Sequence, residues 1–376
     1  MTFIENITRK LNAAGLHNLI INALRFAMLI VVVSIPLKNV FAAKYYVVER
    51  AGGSLGIISH NGLTGRINRI GNGTHVIVYF GNRYGYALSR NGYLSKIDPE
   101  TDKIILQKKV SGDTVDFCLS KDLIAVAGYK PQDVVILNKN FKVLHTTKTG
   151  SRNIGAEFYK NYLIFELMDK DRIWIVNTNN FKVVKKIKHI GHFPIDALVS
   201  GNDYIAAFLI GQKFGVLNLK TFKYHIVNYG KKESFPHQIP HYGIYSVYNG
   251  TAYIPAAGEK KIVEVNLKTE KETGSVSLIG YPIFIIFSPN RKTLAVNYSG
   301  KAHDYLTLID VKNMKVIKNI KAGRRIMFMA YSGNGKLIYA SDYFGNSVNV
   351  FNVLTGKEVA AIPVPSPSGI FRVPAP

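Results

Sequence analysis

Cysteine is almost absent from this chain of 376 residues: Cys118 stands alone. A single cysteine excludes an intramolecular disulfide, and with no C-x-x-C-H there is no site for a covalently attached c-type haem. None lies near the N-terminal apolar segment, so none can carry a lipid there. Cys118 falls inside the run VDFCLS and reads as a buried core thiol. Acidic residues are scarce too. Against 48 Lys and Arg there are 24 Asp and Glu, a formal charge of +24. So basic a surface attracts polyanions, anionic lipid or carboxylate-bearing ligands. No apolar run reaches the roughly 20 residues that a membrane span wants. A Ser-His-Asp ordering, a phosphate-binding glycine loop and EF-hand spacing are likewise missing.

What is present begins with a distinct N-terminus. Arg9, Lys10 and Arg25 precede the apolar run FAMLIVVVSIP, 11 residues from Phe26 to Pro36. LKNVFA follows, with a plausible cleavage after Ala42. That is the pattern of an export signal, either cleaved or kept as an anchor, which would attach the chain to a membrane through residues 1–42. The segment's four basic residues and one Glu account for +3 of the charge, leaving +21 for residues 43–376.

The rest of the chain is a repeat. Short alternating strands end in Ser, Asn or Asp at Ser59, Asp98, Asn138, Asn177, Asn218, Asn266, Asp310 and Asn352, each followed by a turn and a Lys-rich strand. The steps are 39, 40, 39, 41, 48, 44 and 42 residues. A period near 40 to 45 carried wholly by short strands is the signature of propeller blades. The expected fold is therefore all-β: one eight-bladed β-propeller over residues 43–376. The longest step holds an insertion around KKESFPHQIPH. The last strand, GIFRV, has only the N-terminal strands KYYVVER, SLGIIS and TGRINRIG left to pair with. Pairing there closes the first blade and removes two open sheet edges.

After each Lys-rich strand a loop leads into the innermost strand of the next blade and opens on the central channel. His75, Arg152, His192, Asp196, His241, Tyr281, Arg324 and Arg325 share that address. Mixed polar groups converging on one cavity are the usual form of a ligand site. His237 and His241 in HQIPH are four apart, but Pro240 forbids the helix that would bring both to one metal. The Lys-rich strands run around the whole ring without interleaved base-stacking aromatics, which reads as a solvated basic face rather than a nucleic-acid surface.

IGHFPIDALVS, IPHYGIY, YIPAAG, YPIFIIFSP followed by LAVNY, SPSGIF, and GTHVIVYF followed by SRNGYLSKID resemble the NirF family of haem d1 biosynthesis proteins, relatives of the d1-haem propeller of cytochrome cd1 nitrite reductase. The resemblance runs from about Tyr45 to Val373. It implies an exported, periplasmic protein that binds haem d1 or its late precursor in the channel and helps complete that cofactor for nitrite reductase, alongside other maturation proteins. It places His75 where the family carries the proximal haem-iron ligand. His241 falls where nitrite reductases carry a histidine on the other face, and Arg90 on the family arginine before the second strand. His75 and His241 are thus the candidate catalytic residues. Arg90, Arg152, His192, Asp196, Tyr281 and Arg324 complete the candidate tetrapyrrole site. The chain departs from the family at His192 (Arg expected), near Tyr245 (Trp), at Phe328 (His), and at Tyr281 and Pro282, where the second distal histidine of the reductases is missing. A maturation oxidoreductase, a non-catalytic carrier and a cofactor-free interaction scaffold all remain open.

Overall fold

A computed structural model of the chain describes residues 43–59, 62–229 and 246–375. Residues 1–42, where the export signal is expected, the insertion with His237, His241 and Tyr245, residues 60 and 61, and Pro376 lie outside the described residues. The described chain forms eight four-stranded antiparallel sheets, with two short 3-10 turns, Ala257–Glu259 and Gly300–Ala302, as its helical content. Blade 2 shows the plan: Val76–Phe80 innermost, then Gly85–Ser89, Tyr93–Asp98 and the exposed Lys103–Lys109.

Each strand end read from the repeat is a strand end in the fold. Ser54–Ser59, Tyr93–Asp98, Asp133–Asn138, Arg172–Asn177, Lys213–Asn218, Lys261–Asn266, Tyr305–Asp310 and Ser347–Asn352 are the strands next to the outermost one. The reason for Asn or Asp there is local. Its side-chain oxygen accepts from a backbone amide two or three residues on, as at Asp98 to Glu100 (2.9 Å), Asn138 to Asn140 (3.0 Å), Asn177 to Asn179 (2.9 Å) and Asn352 to Thr355 (2.9 Å). These Asx turns reverse the chain into the outer strand.

The first blade closes as expected. Pro367–Arg372 is its innermost strand and pairs antiparallel with Tyr45–Glu49, placing Tyr46 opposite Phe371 and Val47 opposite Ile370. The core is split into clusters between neighbouring blades. One joins Tyr45, Val47 and Ile370 of blade 1 to Tyr339, Val348 and Ile362 of blade 8. Another joins Ile205 and Phe214 of blade 5 to Ile254 and Val263 of blade 6. Apolar area is thus removed from water at every blade junction, and no blade can leave without exposing two.

The innermost strands are not regular. Bulges interrupt their pairing between Asp113 and Asp116, Ile154 and Glu157, Pro194 and Asp196, Pro282 and Ile285, and Ile326 and Met329. A bulge leaves backbone amides unpaired. Here side chains take them up: Asp116 Oδ2 accepts from Ala156 N (2.8 Å), Asn297 Oδ1 from Phe284 N (2.9 Å) and Ser341 Oγ from Phe328 N (2.9 Å). Asn297 also donates to the carbonyls of Ile326 and Met327 in the next blade, and Ser341 to that of Ser368. The wall of the channel is laced together by these contacts.

Candidate functional site

One end of the channel is formed by the loops entering the innermost strands and by the turns between second and third strands. His75 sits there, half-buried, immediately before Val76–Phe80. Gly73, two residues earlier, packs so closely on the Arg50 carbonyl that a Cβ would clash with it. Removal from water, with Arg90 and then Arg50 nearby, pushes the imidazole pKa down to about 4. His75 is therefore neutral at pH 7, the form that ligates metals.

Arg90 lies in the turn after Gly85–Ser89, one strand later than the resemblance places it. Asp113 holds its guanidinium through Nε (2.5 Å) and Nη2 (3.1 Å). Arg152 repeats this in blade 4, with Nε and Nη2 2.9 and 2.5 Å from Asp169 Oδ1. The Tyr129 ring lies between the two, with guanidinium carbons 5.3 Å (Arg90) and 5.8 Å (Arg152) from its centroid. Arg152 also covers Phe193 at 5.2 Å, and the neighbouring His192 bonds Asp171 through Nδ1 at 3.0 Å. The structure thus brings His75, Arg90, Arg152 and His192 into one arc across blades 2 to 5.

Tyr281 and Arg324 lie at the same end on blades 7 and 8. The Lys260 ammonium stands 5.1 Å from the Tyr281 centroid. Backbone amides of Arg324 and Arg325 both donate to Asp342 Oδ1 at 2.9 Å, which fixes their loop. Arg50 covers Tyr343 at 5.9 Å. Among the described residues neither Arg50 nor Arg324 has an acidic partner.

Asp196 is placed differently from the expectation. It lies within the strand His192–Ser200, past the bulge, and lines a cavity of about 300 Å³ deeper in the channel. Asp116 and Glu157 line it too, from blades 3 and 4. Burial raises all three carboxyls, Asp116 to about 6, Asp196 to about 7 and Glu157 to about 8, and their mutual repulsion adds to the rise in the last two. Each is the first residue to rejoin the ladder after its bulge. The signal is in the sequence: V-D-F, A-E-F and I-D-A put an acid at one address in three successive repeats. The opposite wall is aromatic, with Phe328 5.1 Å from Phe284 and 6.2 Å from Phe371. Phe328, a departure from the family histidine, thus belongs to an apolar wall.

The mouth suits a flat, carboxylate-bearing macrocycle with a central metal. It offers a neutral imidazole, arginine forks for carboxylates, Arg50 and Arg324 without an acidic partner among the described residues, and aromatic rings. No three His, Cys, Asp or Glu among the described residues are arranged to hold a metal on their own.

The family described as Cytochrome D1 heme domain matches residues 36–375. Protein NirF of Pseudomonas aeruginosa is 25% identical over 350 residues, covering 86% of this chain and 89% of that protein. Protein NirF of Stutzerimonas stutzeri is 27% identical over 351 residues, covering 86% and 90%. Among solved structures, dihydro-heme d1 dehydrogenase NirN in complex with DHE superposes with a TM-score of 0.72 at 16% identity, covering 90% of this chain and 78% of that one. Apo AztD from Citrobacter koseri gives 0.67 at 14% identity, covering 88% and 98%. These two likenesses concern the fold.

Proposed function

The chain belongs to the cytochrome D1 heme domain family, and from that premise we propose that it holds haem d1 or a late precursor across the arginine-lined mouth and takes part in a late redox step of that cofactor's maturation for nitrite reductase, in the periplasm. Its NirF likeness ties it to haem d1 biosynthesis. The observation that carries the site is the arc of His75, Arg90, Tyr129 and Arg152. A neutral imidazole stands there beside Arg90, Tyr129 lies against both Arg90 and Arg152, and Asp113 and Asp169 already fix these two guanidiniums.

Each part has a role that follows from its chemistry. His75 would hold the iron from one face, and its rigid support is the packed strand Val76–Phe80. Arg90 and Arg152 each spend Nε and Nη2 on an aspartate, leaving Nη1 to meet a carboxylate on the macrocycle rim. Arg50 and Arg324 add cations that no acid among the described residues neutralises. Tyr129, Phe193, Tyr281 and Tyr343 supply flat surfaces. When bound, the tetrapyrrole supplies the redox chemistry, and the chain supplies position and charge. These 376 residues hold no C-x-x-C-H, so they attach no c-type haem of the kind that feeds electrons to nitrite reductases.

An absorption titration of the purified protein with haem d1 and with its precursor tests the reading. Saturable, one-to-one binding is expected, followed by conversion of the precursor when an electron acceptor is present. Binding without conversion would make the protein a carrier, and no binding would leave an interaction scaffold.

A further inference from the structure

The cavity below the mouth has no part in that reading, yet it concentrates charge of the rarer sign. Asp116, Glu157 and Asp196 line it in a chain with 24 acidic and 48 basic residues. Among the described residues no Lys or Arg pairs with them, and the groups acting on their protons are one another and backbone amides. A fourth carboxylate, Glu166, stands behind the floor. Glu166 is fully buried, and neither of its oxygens accepts a hydrogen bond. The adjacent Tyr204 hydroxyl donates instead to the Gly155 carbonyl at 2.6 Å. Gly155 lines the cavity, and a Cβ there would lie 2.9 Å from Glu166 Oε2. Gly155 thus stands between the cavity and the Glu166 carboxylate, which lies behind the lining.

Buried carboxylates without a counter-charge are costly, and a fold that keeps them ionised pairs them with a cation. The walls indicate which kind. Tyr79, Phe80 and Phe117 supply rings, with Tyr79 and Phe117 centroids 4.9 Å apart. Aromatic faces beside carboxylates suit an organic ammonium group, which takes both cation–π contact and charge-assisted hydrogen bonds. No set of ligands among the described residues is spaced for a metal ion. The volume, about 300 Å³, is at the small end of small-molecule pockets. We propose that this cavity is a second ligand site, taking a small organic cation of the primary-ammonium class.

Several titratable groups line it, Tyr79 from blade 2, Asp116 and Cys118 from blade 3, Glu157 from blade 4 and Asp196 from blade 5, and Tyr129, Glu166 and Tyr204 lie behind these. Burial raises every one of them. A cation prefers the ionised carboxylates, so it must displace protons on entering, and its affinity must rise with pH. The site stands independently of the tetrapyrrole reading, since it uses none of the mouth arginines and not His75.

Calorimetric titration of the full chain with benzylammonium, using benzyl alcohol as the neutral isostere, tests it. Saturable binding of benzylammonium alone is expected at about pH 8, weakening at about pH 5.5 as the carboxylates take up protons. Asp196→Asn and Glu157→Gln should each weaken it roughly tenfold or more, the scale of a lost charge-assisted hydrogen bond. Thermal melts of both variants separate this loss from misfolding. The proposal is overturned if benzylammonium fails to saturate at the higher pH, if benzyl alcohol binds as well, or if well-folded variants keep wild-type affinity. Any of these results would mean that the carboxylates hold protons only.

Discussion

At the residue scale, His75 and the cavity acids show how burial selects opposite charge states for one reason. Leaving water disfavours the charged form, so the imidazole loses its proton early and the carboxyls keep theirs late. For His75 the consequence is a ligand ready at neutral pH. His75→Ala should melt like the parent yet change the absorption spectrum of bound haem d1, and free imidazole should restore part of it. An unchanged spectrum would mean that another residue holds the iron. For Arg90, Ala should weaken tetrapyrrole binding by roughly 1.5–3 kcal/mol, and Lys should recover only part because a point charge cannot replace a fork. Equal titration curves for all three forms would remove Arg90 from the site. The acids make a claim about stability. Asp116 ordinarily titrates at 3.8 and here at about 6, so the folded chain holds its proton more tightly than the unfolded one. That stability is complete below the ordinary value and is lost as pH rises through about 6, with Asp196 and Glu157 extending the loss through about 7 and 8. The melting temperature should therefore fall between about pH 4 and pH 8. Asp116→Asn should melt higher than the parent at pH 8, by up to about 3 kcal/mol of stability. A flat parent profile would show that these carboxyls ionise normally.

At the element scale, the innermost strands do two jobs at once, pairing with their blades and shaping the channel. Gly155 makes the second possible. Its φ is +61°, and a Cβ would meet the Tyr204 hydroxyl at 2.8 Å, Glu166 at 2.9 Å and Ala197 at 3.0 Å. Gly155→Ala should cost on the order of 1–3 kcal/mol, from a left-handed backbone and a crowded floor together. A melt within error of the parent would show that the floor relaxes freely. This level also shows how far the sequence can be read. The third strands were legible to the residue, because their terminal Asn or Asp makes a local hydrogen bond that needs no tertiary partner. The closing strand was legible by elimination. The bulges were not, since a bulge exists only in the register of two strands, and the depth of Asp196 was hidden for that reason. Tyr129 was missed because its importance comes from Arg90 and Arg152, which its own strand does not reveal. Asp116 and Glu157 could have been found from their shared address with Asp196. Closure itself carries a test. A chain ending at Pro367 loses the strand opposite Tyr45–Glu49 and uncovers the blade 8 junction. It should be insoluble or lose its cooperative transition, whereas an unaltered melt would mean the ring does not depend on that strand.

At the scale of the whole molecule, the C-terminal strand covers the inner edge of Tyr45–Glu49 and so joins the two ends of the ring, and residues 43–376 carry +21. A surface of that sign draws in a carboxylate-bearing macrocycle from a distance, so association with haem d1 should slow as salt rises past roughly 0.1 M, where the Debye length is about 10 Å. The same charge bears on where the chain works. Haem d1 serves nitrite reductase outside the cytoplasm in the reading proposed above, so the propeller must cross the inner membrane. Residues 1–42 have the composition for that: basic residues first, then 11 apolar ones, then Ala42. Fused to a reporter active only outside the cytoplasm, residues 1–45 should confer activity, and the mature protein should begin near Ala43. Replacing Val31 and Val32 with Asp should abolish export, because a charged pair breaks the apolar run that the export machinery recognises. A reporter that stays silent with the native segment would place the propeller in the cytoplasm. A membrane-bound protein that retains Met1 would instead make the segment an anchor, which the run of 11 could serve only with help from its flanks, being about half the length of a spanning helix.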